Sequence, residues 1–141
     1  MKPNKIAIPY ALFRGSYLFV TWYTPWKDAA DFCRLAEDKM KAYDIPPVLW
    51  VAAIDNGRQS ICMPILCYDP TDEASIDRIR MFNQDTSHMF YDRGWLNYRP
   101  DPTVHAPAVA ENAPEYFDLL RSIKKLLDPN GIMHPGRLGL P

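Results

Sequence analysis

Hydrophobic and polar positions along this chain alternate in two registers, and the switches between them mark its elements. Residues 15–23 (GSYLFVTWY) are β-branched and aromatic, which predicts a strand. Thr24-Pro25-Trp26 suits a helix start, with Thr24 as cap and Pro25 in the first turn. Ala29, Phe32, Cys33, Ala36 and Met40 recur at helical spacing on one face of a helix that ends near Tyr43, ahead of Pro46. Residues 48–54 (VLWVAAI) predict a second strand. Asp55-Asn56-Gly57 predicts a hairpin turn, because Asn-Gly tolerates positive φ. Residues 60–68 (SICMPILCY) form the returning strand, in which Pro64 lacks a ladder donor and so predicts an edge strand or a bulge. Asp69-Pro70-Thr71-Asp72-Glu73 opens a second long helix, followed by Ile76, Ile79, Arg80, Asn83, Thr86 and Phe90 and stopped at Gly94. Residues 95–99 (WLNYR) are a short extended piece, and a final helix spans about 114–127.

This β-α-β-β-α order predicts an α+β fold: a ferredoxin-like plate, with both helices on one face of an antiparallel sheet. Residues 1–98 make up that plate. Residues 99–141 are a proline-rich arm, the last helix and an extended tail. Pro100, Pro102, Pro107 and Pro114 punctuate residues 99–114, where periodicity is weak, which predicts a stiff, extended excursion rather than a helix or strand. Loops of that length in compact domains commonly serve a function, and His105 lies within this one.

Composition narrows the classes. At 141 residues the chain is one domain with room for a core. Its net charge of -1 gives no pull towards nucleic acid or an anionic membrane. No apolar run is long enough to cross a bilayer, and Met1-Lys2-Pro3-Asn4-Lys5 does not lead into a signal-peptide pattern, so a cytoplasmic product is expected. Cys33, Cys62 and Cys67 have no metal spacing and read as buried free thiols; no metal site is expected. His88, His105 and His134 are widely separated, and no nucleotide-loop, nucleophile-elbow or zinc-helix motif is present. Composition and pattern alone describe an α+β domain with an arm, not a self-contained enzyme.

Three motifs add chemistry. Residues 123–139 (IKKLLDPNGIMHPGRLG) end a helix at Asp-Pro-Asn-Gly and then turn at Pro135-Gly136 to present Arg137. Pro129 ends the helix, Asn130-Gly131 permits a left-handed turn, and Ile132 is expected to pack back on the helix. Residues 92–101 (DRGWLNYRPD) contain Tyr98-Arg99, and residues 15–25 (GSYLFVTWYTP) contain Tyr17.

Together these resemble the FAD-linked oxidases related to vanillyl-alcohol oxidase and the flavoprotein subunit of p-cresol methylhydroxylase. The resemblance implies that Arg137 and Asn130 lie in the turn that approaches the flavin, Arg137 stabilising negative charge on the reduced ring. It implies that Tyr98 and Arg99 are catalytic, binding and neutralising a phenolic oxygen. A phenol with an ordinary pKa near 10 is held as phenolate only by donors and positive charge. At Tyr17 the family's Gly-x-His strand carries its flavin on the histidine, so the tyrosine is a departure. Tyr17 is then either a covalent flavin carrier or a residue lining the flavin edge, with Tyr10 as another nearby candidate.

The resemblance spans about residues 15–140 but only the cap and C-terminal portion of the family's architecture; the FAD-binding domain has no counterpart here. It therefore implies a small cap subunit of a split FAD-dependent oxidoreductase, with a separate FAD-binding subunit holding the cofactor; a fragment or remnant is the other origin. The implied reaction oxidises a para-substituted phenol at its benzylic carbon by hydride transfer to flavin. The implied partners are that subunit, an aromatic small-molecule substrate and an electron-acceptor protein. Trp95, Tyr98, Tyr116 and Phe117 are expected to bury against the partner subunit, aided by the stiff arm. The alternative is a noncatalytic ferredoxin-like binding or regulatory module derived from such a cap.

Overall fold

The structure, a computed structural model, describes residues 15–102, 104–137 and 140. Five strands and four α-helices follow one another as β1 (Ser16–Phe19), β2 (Trp22–Pro25), α1 (Ala29–Ala42), β3 (Leu49–Ile54), β4 (Gln59–Tyr68), α2 (Glu73–Tyr91), β5 (Leu96–Asn97), α3 (His105–Asn112) and α4 (Pro114–Leu127). All strand pairings are antiparallel. β1 and β2 share one register against β4, from Ser16↔Tyr68 to Pro25↔Gln59, and act as a single interrupted strand. The sheet then runs β3, β4, β1/β2, β5. This is the ferredoxin-like plate the element order predicts.

The interruption has a chemical cause. The Val20 N–H donates to the Pro64 carbonyl at 3.2 Å, and Pro64 has no N–H to return the bond. Pro64 does not sit on an edge: it lies in the central strand β4, opposite Leu49 of β3 on its other side. The missing donor breaks the neighbouring strand instead of marking the sheet's border.

The helix after β2 starts later than Thr24-Pro25 predicts. Thr24 stays in β2 opposite Ser60, with their buried hydroxyls 2.6 Å apart. Trp26–Asp28 then forms one 3-10 turn before α1. α1 buries Ala29, Phe32, Ala36 and Met40, as its spacing predicts, while Cys33 is half-buried. Asp72 caps α2 by accepting from the Ala74 N–H at 3.1 Å. All three cysteines are free.

The core lies between one sheet face and α1 and α2. Val20, Trp22, Cys62 and Leu66 from the sheet meet Phe32, Met40, Phe82 and Phe90 from the helices. Trp22 stands at its centre, edge-on to Phe90 at 5.0 Å and Tyr91 at 5.1 Å. The opposite face is different. Tyr17, Phe19, Leu96 and Tyr98, with Trp50 opposite Met63, are all at least 47% exposed.

The arm is not the extended excursion that its prolines predict. Residues 105–112 form α3, with Pro107 in its first turn, where a missing N–H costs no helical bond. Ala106 and Ala108 are buried, and α3 packs against α2 and α4. Trp95 and Phe117 are also buried within this chain, so of the four aromatics expected at a partner only Tyr98 and Tyr116 stay exposed.

Among the described residues, no helix is long and apolar enough to cross a membrane.

Candidate functional site

β5 is only two residues long, paired to Trp22 and Tyr23. Beyond it the Tyr98 N–H makes one more bond, to the Thr21 carbonyl at 2.9 Å, and the chain then leaves the sheet. Among the described residues, nothing continues the pairing along β1. The resulting notch is a cavity of about 760 Å³. Its walls come from Leu18–Thr21 on the sheet side, from Ile76, Ile79, Arg80 and Asn83 of α2, and from residues 97–102. His105 and Arg137 close it.

Tyr98, Arg99 and Arg137 are thus brought to one cavity from two motifs 38 residues apart in sequence. Tyr98 is half exposed, with its ring edge-on to Tyr23 at 5.5 Å. The Arg99 guanidinium lies over the Tyr98 ring, 5.1 Å from its centroid, an attraction between cation and ring quadrupole. The Arg99 N–H donates to Asn97 Oδ1 at 2.9 Å, which fixes the turn out of the sheet. Among the described residues, neither Arg99 nor Arg137 has a carboxylate partner. Both charges remain available to an anion.

The loop carrying Arg99 is locked from behind. Asp101 Oδ1 accepts from the Val104 N–H at 3.0 Å. The Asp101 carbonyl accepts from the His105 and Ala106 N–H groups, and the Asp101 N–H donates to His105 Nδ1 at 3.1 Å. His105 is buried, edge-on to Trp22 at 5.6 Å. Burial pushes its pKa down to about 4, against a smaller upward pull from Asp101, so the ring is neutral at neutral pH. His105 therefore faces the core and the cavity, not an outside partner. The missed signal was Asp101, a short acceptor three residues before the N-cap Val104 of a helix.

The C-terminal turn is held by a residue that motif reasoning passed over. The Asp128 carboxylate, nearly buried, accepts from the Ile132 and Met133 N–H groups at 2.9 Å each and pairs with Lys124 one turn back. The Lys124 hydrogen bond, ahead of the backbone ones, holds its pKa below the ordinary carboxylate value. Gly131 takes the left-handed position with φ +64°, whereas Asn130 does not. Ile132 does not pack back on the helix; it is 77% exposed. Gly136, at φ +79°, turns the chain so that Arg137 reaches the cavity.

Two other predicted residues lie elsewhere. Tyr17 projects from β1 on the exposed sheet face, tilted against Phe19 at 4.8 Å, and does not line the cavity. Asn130 is exposed in the turn and is also outside the cavity wall. Tyr10 lies outside the described residues.

Comparison with known proteins adds two findings. Residues 105–138 match the family described as FAD linked oxidases, C-terminal domain. Among solved structures, the fold superposes on 4-ethylphenol oxidase from Gulosibacter chungangensis in its isoeugenol complex, with a TM-score of 0.75 and 22% identity. That superposition covers 89% of this chain and 24% of the oxidase, so this chain spans about a quarter of that protein's length. No curated protein matches by sequence.

Proposed function

We propose that this chain is the small cap subunit of a split FAD-dependent oxidoreductase that oxidises a para-substituted phenol at its benzylic carbon. The observation that carries the reading is the convergence of Tyr98, Arg99 and Arg137 on one cavity, in a fold similar to a phenol oxidase. A binding subunit holds most of the FAD, because nothing in this sequence resembles a pyrophosphate-cradling loop. The chain's own part in the cofactor site fits the chemistry. Two guanidiniums that have no carboxylate partner among the described residues line this cavity, and they suit a group that gains negative charge on reduction.

FAD, when bound, accepts the hydride. Everything else falls to side chains. The Tyr98 hydroxyl donates to the phenolic oxygen, and Arg99 adds a charge-assisted bond to the same oxygen, so that the substrate binds as phenolate. Electron density from that oxygen promotes loss of the benzylic hydride and leaves a quinone methide, to which water adds. Arg137 offsets charge at the flavin side. Tyr17, on the exposed sheet face, lines the flavin edge or carries it covalently, and that face docks on the binding subunit. An electron-acceptor protein, or oxygen, then reoxidises the complex.

The test is co-expression of the chain with a candidate FAD-binding oxidase subunit that lacks this cap portion. A yellow complex is expected, whose flavin band bleaches anaerobically on adding 4-ethylphenol. Tightly bound FAD on this chain alone would overturn the split arrangement. A yellow complex that no phenol bleaches would overturn the substrate assignment. Fluorescence of this chain on a denaturing gel, abolished in Tyr17→Phe, is the expected sign of a covalent link; flavin fully extracted by acid leaves Tyr17 a wall residue.

A further inference from the structure

Two residues that line the cavity carry buried polar atoms that its exposed rim does not explain. Asn83 Oδ1 and His105 Nε2 are buried without a hydrogen-bond partner among the described residues. Asn83 is 9% exposed and His105 4%. Both residues line the cavity, one from α2 and the other from α3, which pack on each other. Leaving such an atom unmet costs roughly 1–3 kcal/mol, so two at one cavity point to an occupant that meets them.

The type of occupant follows from donor and acceptor chemistry. His105 Nδ1 accepts from the Asp101 N–H, so the neutral ring carries its proton on Nε2, which is a donor lacking an acceptor. Asn83 Oδ1 is an acceptor lacking a donor. A carboxylate only accepts and would repel Oδ1. An ammonium only donates and would leave Nε2–H unmet. An alkyl group does neither. A hydroxyl accepts and donates through one atom, and so can satisfy either group or both.

We propose that Asn83 and His105 form a hydroxyl-reading wall, so that this cavity prefers an aromatic ligand with a second hydroxyl over an alkylphenol without one. The aromatic part rests on the phenol reading above; the hydroxyl preference rests on the two unmet atoms alone. Discrimination of this kind is strong where a site is built to bond a hydroxyl, because the analogue lacking it leaves buried groups unpaired.

The test uses the full isotope-labelled chain, without flavin or partner, titrated by NMR with 4-hydroxybenzyl alcohol and with 4-methylphenol. About tenfold tighter binding of the diol is expected, with the His105 Nε2–H resonance shifting only for the diol. Asn83→Leu should reduce that advantage to within about twofold, and Asn83→Asp, which keeps the acceptor, should retain it. Peak dispersion identifies the folded variants. Equal affinity for the two compounds, no binding of either, or an Nε2–H resonance that stays fixed at saturation (an ordered water as the only occupant) would each overturn the proposal. The flavin chemistry plays no part in this titration. A complex that failed to oxidise phenols would leave its result standing, and loss of the hydroxyl preference would leave the phenol reading intact.

Discussion

The two faces of the sheet are built from similar residues, but only one of them is covered. On the covered face, Val20, Trp22, Cys62 and Leu66 are at most 6% exposed and close against two helices. On the other, Tyr17, Phe19, Trp50, Leu96 and Tyr98 form an aromatic surface at least 47% exposed. Alternation along β1/β2 sends neighbouring aromatics to opposite fates: Trp22 inward, Tyr23 outward. Hydrophobicity alone therefore does not say which side stabilises the fold. Exposed apolar surface of this kind contributes little to the isolated chain's stability, and its docking role is part of the proposal above.

The contrast breaks most visibly at Trp22. Trp22→Ala should cost about 3–5 kcal/mol in urea unfolding, since it empties a site packed by Phe90, Tyr91 and His105. A loss below about 1 kcal/mol would mean that this face is not the core. Next comes pH. His105 has a folded pKa of about 4, below its ordinary 6.5, so the unfolded chain binds a proton that the folded chain refuses between those values. Its contribution is fully present above pH 6.5 and is lost as pH falls towards 4, by about 3 kcal/mol. Denaturant midpoints across that range should show the decline, and His105→Phe should flatten it.

The cavity rim sits between the two regimes. If the proposed complex and mechanism hold, Arg99→Ala and Tyr98→Phe should each lower its kcat/KM for phenols by roughly 10- to 100-fold, the worth of a bond to a charged group. The double variant should lose less than the two losses combined, because in the proposed mechanism both donors serve one oxygen. Arg99→Lys should restore only part, lacking the planar fork. Stability should barely change in any of them, which separates rim from core. The smallest effect belongs to the open face: Phe19→Ser and Trp50→Ser should stay within about 0.5 kcal/mol of the parent in unfolding of the chain alone. Assembly with the proposed FAD-binding subunit, followed by size-exclusion chromatography, should weaken in both. A large loss of stability in either would show the open face to be structural.

Local chemistry made much of the molecule legible in its sequence. Period-two and helical spacing placed β3, β4, α1, α2 and α4 within a few residues, because burial selects one face of each element. The Asn56-Gly57 turn and the Gly94 stop followed from φ preferences that travel with the residue, and the stop ahead of Pro129 from proline's missing N–H. Tyr98-Arg99 and Arg137 were visible as motifs.

What the sequence could not decide depended on neighbours distant along the chain. Thr24 reads as a helix cap until Ser60 arrives opposite its hydroxyl. Pro64 reads as an edge until β1/β2 and β3 flank it. The prolines of residues 99–114 read as an extended arm, yet Pro107 falls in a first turn and alanines on that stretch are buried by α2 and α4. Asn83 and His105 each look ordinary alone; only the packing of α2 on α3 strips both of water and sets a lone acceptor and a lone donor at one cavity. Conformational preference is a property of a residue and its near neighbours, whereas desolvation and charge convergence are properties of whatever the fold brings alongside.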